Sequence, residues 1–186
     1  GEYAALVAAE ALSFEAALKL VARRAQLMQD AAPEGVGALA AIIGLSAEAV
    51  EEVCLQASNE TEVVTPANFN SPGQIVISGH AAVVARAMSL AKIAGAKLAK
   101  KLPVSVPSHS ALMKPAAVLF EQDVENVELK MPVIPLINNV DVAVETNVQA
   151  IKSALVRQLY SPVRWVETIE AMVKAGVEGI DECGSG

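Results

Sequence analysis

The sequence predicts an α/β fold in which a small β-α-β-β-α-β unit interrupts a larger domain built on a parallel sheet. Three observations carry this. Apolar residues alternate between three-to-four-residue spacing and short continuous runs, the signatures of amphipathic helix and buried strand. Asn70-Ser71-Pro72-Gly73 separates two β-rich runs with strong turn chemistry. Beyond residue 105, helical stretches alternate with single apolar runs, the pattern that buries strands between helix layers.

Ala5, Leu6, Ala9 and Leu12, then Ala17, Leu18, Leu20 and Val21, recur at helical spacing between Tyr3 and about Met28. Ser13, with Glu15 two positions later, starts the second of two helices, because its hydroxyl and an early carboxylate satisfy free N–H groups and the dipole. Ala32-Pro33-Glu34-Gly35 breaks the pattern. Gly37–Ile43 then reads as a strand, and Ser46 caps a helix to about Gln56 with Val50, Val53 and Cys54 on one side. Val63–Phe69 and Gln74–Ser78 form a hairpin, His80–Ala94 a helix ended by Gly95, and Ala96–Leu102 a last strand. That order is the split βαβ, ferredoxin-like arrangement, with both helices on one face of an antiparallel sheet.

Val104-Ser105-Val106-Pro107-Ser108-His109 leads into a helix from Ser110 to about Val124. Val133–Val140 reads as a buried strand, Asn147 or Val148 to Tyr160 as a helix, Val163–Ala175 as another, and Gly176–Asp181 as a closing strand. The unit at 37–105 is therefore expected as an insertion in a large α/β domain built from 1–36 and 106–186.

The chain has 186 residues, 53% of them apolar and 3% aromatic, enough to bury a real core. No uncharged apolar stretch reaches the ~18 residues that cross a bilayer, so a soluble protein is expected. The chain starts at Gly1 rather than Met, and GEYAALVAAEAL carries no secretory signal; the start of the gene product is expected upstream. Cys54 and Cys183 lie far apart without CxxC spacing or clustered histidine, which suggests neither disulfide nor zinc and fits a reduced cytoplasm. A net charge of −7 argues against nucleic acid as a partner. Lys92, Lys97, Lys100 and Lys101 form the densest basic stretch.

The chain holds two histidines. His109 follows Pro107-Ser108 at a strand-to-helix junction, where α/β sheets open and ligands bind. On position alone it is either an acid/base group or a capping or surface residue. His80 opens a helix and reads as solvent-facing. Arg23 and Arg24 point about 100° apart on their helix; either both are solvated or one turns inward, where its planar fork suits a carboxylate. Asn68 and Asn70 read as turn residues, and the terminal Gly184-Ser185-Gly186 as a turn or a linker.

Taken together, these stretches resemble the malonyl-CoA:acyl carrier protein transacylases of type II fatty acid synthesis over essentially the whole chain. Gly1-Glu2-Tyr3-Ala4-Ala5 looks like the tail of the family's GHSxGE motif, whose nucleophilic serine would lie two residues before Gly1. Arg24-Ala25-Gln26-Leu27-Met28 matches RGxxM, Asn68 to Gln74 matches NxNSPGQ, and Ser108 to Met113 matches SHSxLM. Asn138-Asn139-Val140 matches NNV, and Arg157 to Val163 matches RQLYxPV. Five matches in register are specific where each alone is weak. Ala25 replaces the usual Gly, and Ser185 stands where the family has Pro, a near-match that favours a natural segment over an artificial linker.

The resemblance implies a hydrolase-like parallel-sheet domain with the inserted ferredoxin-like subdomain, and a ping-pong transfer through an acyl-serine. It implies His109 as general base and acid, and Gln158 as the main-chain carbonyl that orients the imidazole. It implies Arg24 as partner of the malonyl carboxylate and Asn68 and Asn70 as pocket walls. The family's oxyanion hole, whose donors contribute roughly 10²–10³-fold each, would lie upstream of Gly1, so the polypeptide alone is expected to be inactive. Acyl carrier proteins are acidic and coenzyme A carries phosphates, so the four lysines are candidates for a docking edge. Malonyl-CoA is then a substrate, the phosphopantetheine belongs to the carrier, and no cofactor, metal, nucleic acid or membrane is called for. An acyltransferase domain of a polyketide or fatty acid synthase and a non-catalytic carrier-binding module are the alternatives. A serine hydrolase is disfavoured, because Arg24 would have no carboxylate to hold.

Overall fold

The computed structural model describes residues 1–104 and 106–183; Ser105 and the Gly184-Ser185-Gly186 terminus lie outside the described residues. The chain opens with two helices, α1 (Glu2–Ala8) and α2 (Phe14–Ala31). Ser13 Oγ accepts a hydrogen bond from the Ala16 N–H at 3.2 Å, satisfying one of the donors a helix start leaves free. The buried face of α2 is Ala17, Leu20, Leu27 and Met28.

The next six elements are β1 (Gly37–Ile43), α3 (Ala47–Ala57), β2 (Val64–Ser71), β3 (Gln74–His80), α4 (Ala81–Ile93) and β4 (Leu98–Lys101). Their sheet has the order β2-β3-β1-β4, and every neighbouring pair is antiparallel. Ser46 caps α3 by accepting from the Ala49 N–H at 3.3 Å. The hairpin turns on Pro72-Gly73 alone, with Ser71 opposite Gln74, and Gly73 takes φ +76, where a side chain would be strained. Helices α3 and α4 pack on each other and on the sheet. Their shared core includes Ile42, Val50, Val64, Ile77, Val83 and Val84. His80 does not face solvent freely: it is half-buried, and its Nδ1 accepts from the Val63 N–H at 3.0 Å, tying β2 to the start of α4.

The second flank begins with a 3₁₀ turn at Ala111–Met113 and continues as α5 (Lys114–Glu125), β5 (Ile137–Asn138), β6 (Ala143–Val144), α6 (Val148–Arg157) and α7 (Trp165–Lys174). Asn147 caps α6, accepting from the Ala150 N–H at 2.8 Å. Leu6, Leu20, Leu27, Met113, Phe120, Val124, Leu155 and Leu159 form one apolar core from both flanks. Helix α7 packs instead against β2.

The expected parallel sheet does not form among the described residues. Of the run 133–140 only Ile137–Asn138 is strand, paired antiparallel with Ala143–Val144, and 176–181 holds no strand. Apolar runs become strands only where another backbone supplies the N–H and C=O partners. Here the run meets only isolated partners, the Val133 N–H donating to the Ala9 carbonyl at 2.9 Å, and Val133 and Ile134 are 67% and 56% exposed. The parallel pairing present is the Asn68–Val163 bridge. No helix among the described residues is long and apolar enough to cross a membrane.

Candidate active site

His109 sits between Ser108 and the 3₁₀ turn with φ +59, a backbone state that costs a non-glycine residue of order 1 kcal/mol. Three hydrogen bonds to the segment after α6 hold it there. Its N–H donates to the Leu159 carbonyl at 2.9 Å. Its Nδ1 lies 2.9 Å from the Gln158 carbonyl and 3.1 Å from the Ser161 carbonyl. Both partners only accept, so Nδ1 carries the proton and Nε2 keeps its lone pair. Burial pushes the imidazole below its ordinary value; the Gln158 and Ser161 carbonyls oppose that, and the charge of Arg24 adds to it. The ring is therefore neutral at pH 7, in the form that can accept a proton.

Arg23 and Arg24 divide as adjacent helical residues do. Arg23 turns outward to Asp123, Nε to Oδ2 at 3.2 Å. Arg24 turns in: its Nε is buried and has no hydrogen-bond partner. Nothing in the described chain forms an ion pair with it. Its charge nevertheless reaches Glu2, Tyr3 and His109, each of which it shifts. A buried donor without a partner is rare because it forfeits its hydration, and here the unpaired donor faces the imidazole's surroundings.

Glu2, unrecognised from sequence as a functional residue, completes the cluster. It opens α1, is 9% exposed, and its carboxylate accepts from the Gln158 side-chain amide. Burial raises its pKa to about 7, against the pull of Arg24 and of the Gln158 hydrogen bond. Burial also pushes the Tyr3 phenol up, and its hydroxyl is without a partner. The signal for Glu2 was its place as the last residue of the GHSxGE-like tail, three positions after the motif's serine.

The structure thus brings together His109, Gln158 and Arg24. Asn68 is joined to the segment after α6 through Val163, whose N–H donates to the Ala67 carbonyl at 2.8 Å and whose carbonyl accepts from the Phe69 N–H at 2.9 Å. Neither Asn68 nor Asn70 hydrogen-bonds His109 or Arg24 among the described residues. The four lysines are all exposed, Lys92 in the last turn of α4 and Lys100 and Lys101 on β4. An apolar cavity of about 210 Å³ is lined by Leu6, Ile134, Val144 and Ile151 and reaches Glu2, but neither His109 nor Arg24. We place the chemistry at the histidine, because the cavity offers no unpaired donor. Among the described residues no three His, Cys, Asp or Glu side chains gather as a metal site.

A neutral imidazole fixed by main-chain carbonyls, with an unpaired guanidinium beside it, can shuttle a proton next to a bound anion. The chain belongs to the acyl transferase domain family, whose profile matches residues 1–180. It is 56% identical over all 186 residues to the malonyl CoA-acyl carrier protein transacylase of Haemophilus influenzae, and covers 59% of that protein. The malonyl-CoA:acyl carrier protein transacylase of Xanthomonas oryzae superposes with a TM-score of 0.97 at 49% identity, over 100% of this chain and 59% of that one. A malonyl-transacylase solved in complex with a type II polyketide synthase acyl carrier protein gives 0.93 at 51% identity, over 95% of this chain and 57% of that one. The chain thus spans roughly 60% of the curated relatives' length.

Proposed function

We propose that the full-length protein bearing this chain transfers malonyl groups from malonyl-CoA to the phosphopantetheine thiol of an acyl carrier protein. The observation that carries this is the pairing of a neutral, carbonyl-held His109 with a buried, unpartnered Arg24 Nε. The family and the names of its relatives support it, and the relative solved with a carrier protein supports the choice of acceptor.

In this reading a serine two residues before Gly1 attacks the malonyl thioester as His109 Nε2 takes its proton. The proton passes to the departing coenzyme A thiolate. The carrier thiol then gives its proton to His109 and attacks the acyl-serine, and the proton returns to the serine oxygen. Gln158 serves through its carbonyl, which fixes the tautomer without a triad carboxylate. Arg24 pairs with the malonyl carboxylate, so acetyl transfer is disfavoured: it would leave the guanidinium desolvated and unpaired. Asn68 and Asn70 line the acyl pocket. Lys92, Lys97, Lys100 and Lys101 receive the acidic carrier.

The residues at 37–105 are read as the ferredoxin-like subdomain, for which the strand order and paired helices speak. The flanks 1–36 and 106–186 are read as part of a hydrolase-like domain whose parallel sheet also draws on strands of the longer protein. A cytoplasmic setting without a cofactor fits two free, separated cysteines.

The test is the intact mass of the full-length protein after separate incubation with malonyl-CoA and acetyl-CoA. A malonyl adduct that is lost on adding holo carrier protein, and is scarce with acetyl-CoA, is expected. A folded protein that takes neither acyl group refutes the reading.

A further inference from the structure

We infer that Glu2 is a positioning residue for His109, acting through the side chain of Gln158. The two ends of Gln158 do different things. Its main-chain carbonyl accepts the His109 Nδ1–H at 2.9 Å, while its side-chain amide donates to the Glu2 carboxylate. Gln158 caps α6 where the helix ends: its N–H still donates to the Ala154 carbonyl at 2.9 Å, but its own carbonyl lies past the helical ladder and is free to accept from His109. Glu2 is the partner that its side-chain amide has in the described chain, and that partner is 156 residues away in sequence.

The contact ties together two parts of one catalytic geometry. The segment that follows α6 carries the carbonyls of Gln158 and Ser161 that aim the ring. Glu2 is the first residue of α1. Resting on the function proposed above, the nucleophilic serine stands three residues before Glu2, and residues three apart lie on the same side of a helix start. The face that presents the serine is then bonded to the residue that holds the histidine. Such a clamp sets the distance between serine and imidazole, and that distance has to be right to within a fraction of an ångström for rapid proton transfer.

Burial fits this role better than an ordinary surface carboxylate would. Glu2 is 9% exposed, so water does not compete for the Gln158 amide. The charged group facing it is the Arg24 guanidinium from α2. It makes no ion pair with Glu2. Glu2 therefore serves mainly as a hydrogen-bond acceptor, and an uncharged acceptor of the same shape can replace it.

The test uses the full-length protein with Glu2→Leu, Glu2→Gln, Gln158→Leu and the double leucine variant. Two readouts are taken: the nitrogen chemical shifts and Nδ1–H signal of His109 by NMR, and kcat and KM for malonyl transfer. Glu2→Leu and Gln158→Leu are each expected to lower kcat about 10- to 100-fold with little change in KM, and to weaken the Nδ1–H signal. The double variant is expected to be no worse than either single one, because both remove the same bond. Glu2→Gln is expected to restore the Nδ1–H signal and most of kcat. Additive losses, or an unchanged Nδ1–H signal in both leucine variants, overturn the inference. If Glu2→Leu does not fold, Gln158→Leu against Glu2→Gln decides alone, since it keeps the carbonyl and removes only the amide. The tautomer readout needs no turnover: a parent protein that transfers no malonyl refutes the proposed function and still leaves the clamp testable.

Discussion

Replacing Arg24 by methionine is expected to make the protein more stable and blind to malonyl ligands. The Arg24 Nε–H is buried without a partner, and a buried unsatisfied donor costs about 1–3 kcal/mol. Methionine keeps an unbranched, apolar stem of similar reach and brings no donor. Loss of the attraction between Arg24 and Glu2 works the other way. The measurement is therefore made near pH 5.5, roughly one and a half units below the pKa of about 7 to which burial raises Glu2. There Glu2 is mostly neutral and the offset is small. Any protonated His109 would repel Arg24, which only adds to the gain. With one N–H at stake, the expected stabilisation is about 1–2 kcal/mol. For a urea slope of about 2 kcal/mol per molar, the midpoint rises by roughly 0.5–1 M. Malonyl-CoA at about 100 times its Kd should stabilise the parent by about 2.7 kcal/mol and the variant not at all. A methionine variant less stable than the parent at unchanged slope refutes the claim that this guanidinium is held unpaired for an anion.

Two further perturbations test other parts of the reading. Charge reversal at Lys100 and Lys101, on the exposed β4 edge, should raise KM for the carrier protein about tenfold, with malonyl loading nearly unchanged; equal effects on both half-reactions would show that the edge does not dock the carrier. Gly79→Ala places a Cβ 2.2 Å from the Val63 carbonyl oxygen and 2.7 Å from the Val64 Cα. Because both obstacles are backbone, β2 and β3 must part, and urea unfolding should show a loss of roughly 2–3 kcal/mol.

Local chemistry made the small unit and two of the flanking helices legible. Ser13, Ser46 and Asn147 each cap the helix expected to follow, and Pro72-Gly73 turns the expected hairpin. These signals need only a few neighbouring residues, which is why they survive without tertiary context. Whether the runs at 133–140 and 176–181 pair as strands was not legible, because an apolar run carries no information on whether a partner backbone lies beside it. The site divides in the same way. The resemblance supplied roles for His109, Arg24 and Gln158, whereas helical geometry could say only that Arg23 and Arg24 diverge, not which one turns inward. Core packing of α2 on α5 decides that, putting Arg23 beside Asp123. The Glu2–Gln158 bond spans nearly the whole chain, and no periodicity points across such a distance.

If the protein transfers malonyl groups as proposed, the same cluster makes malonyl binding sensitive to pH, with a sign that follows from its charges. Glu2 sits near pH 7 in spite of Arg24, whose positive charge pulls its pKa down. A malonyl carboxylate that neutralises Arg24 weakens that pull, so Glu2 becomes more basic and takes up a proton. His109, lowered in part by the same guanidinium, moves in the same direction. Ligand binding that takes up protons strengthens as pH falls. Near pH 7, where about half of Glu2 is protonated in the free protein, uptake by this residue is at most about half a proton. A phosphate-free malonyl thioester avoids titration of coenzyme A, and calorimetry in two buffers of different ionisation heat counts the protons. Glu2→Gln should keep only the part due to His109. Affinity flat between roughly pH 6 and 8, or a Glu2→Gln variant with the parent's slope, would mean that Glu2 does not share a field with the bound acyl group. In the proposed function, burial of Glu2 then has a second consequence besides holding Gln158: the carboxyl turns neutral as a malonyl carboxylate arrives, so that the two do not compete for one guanidinium.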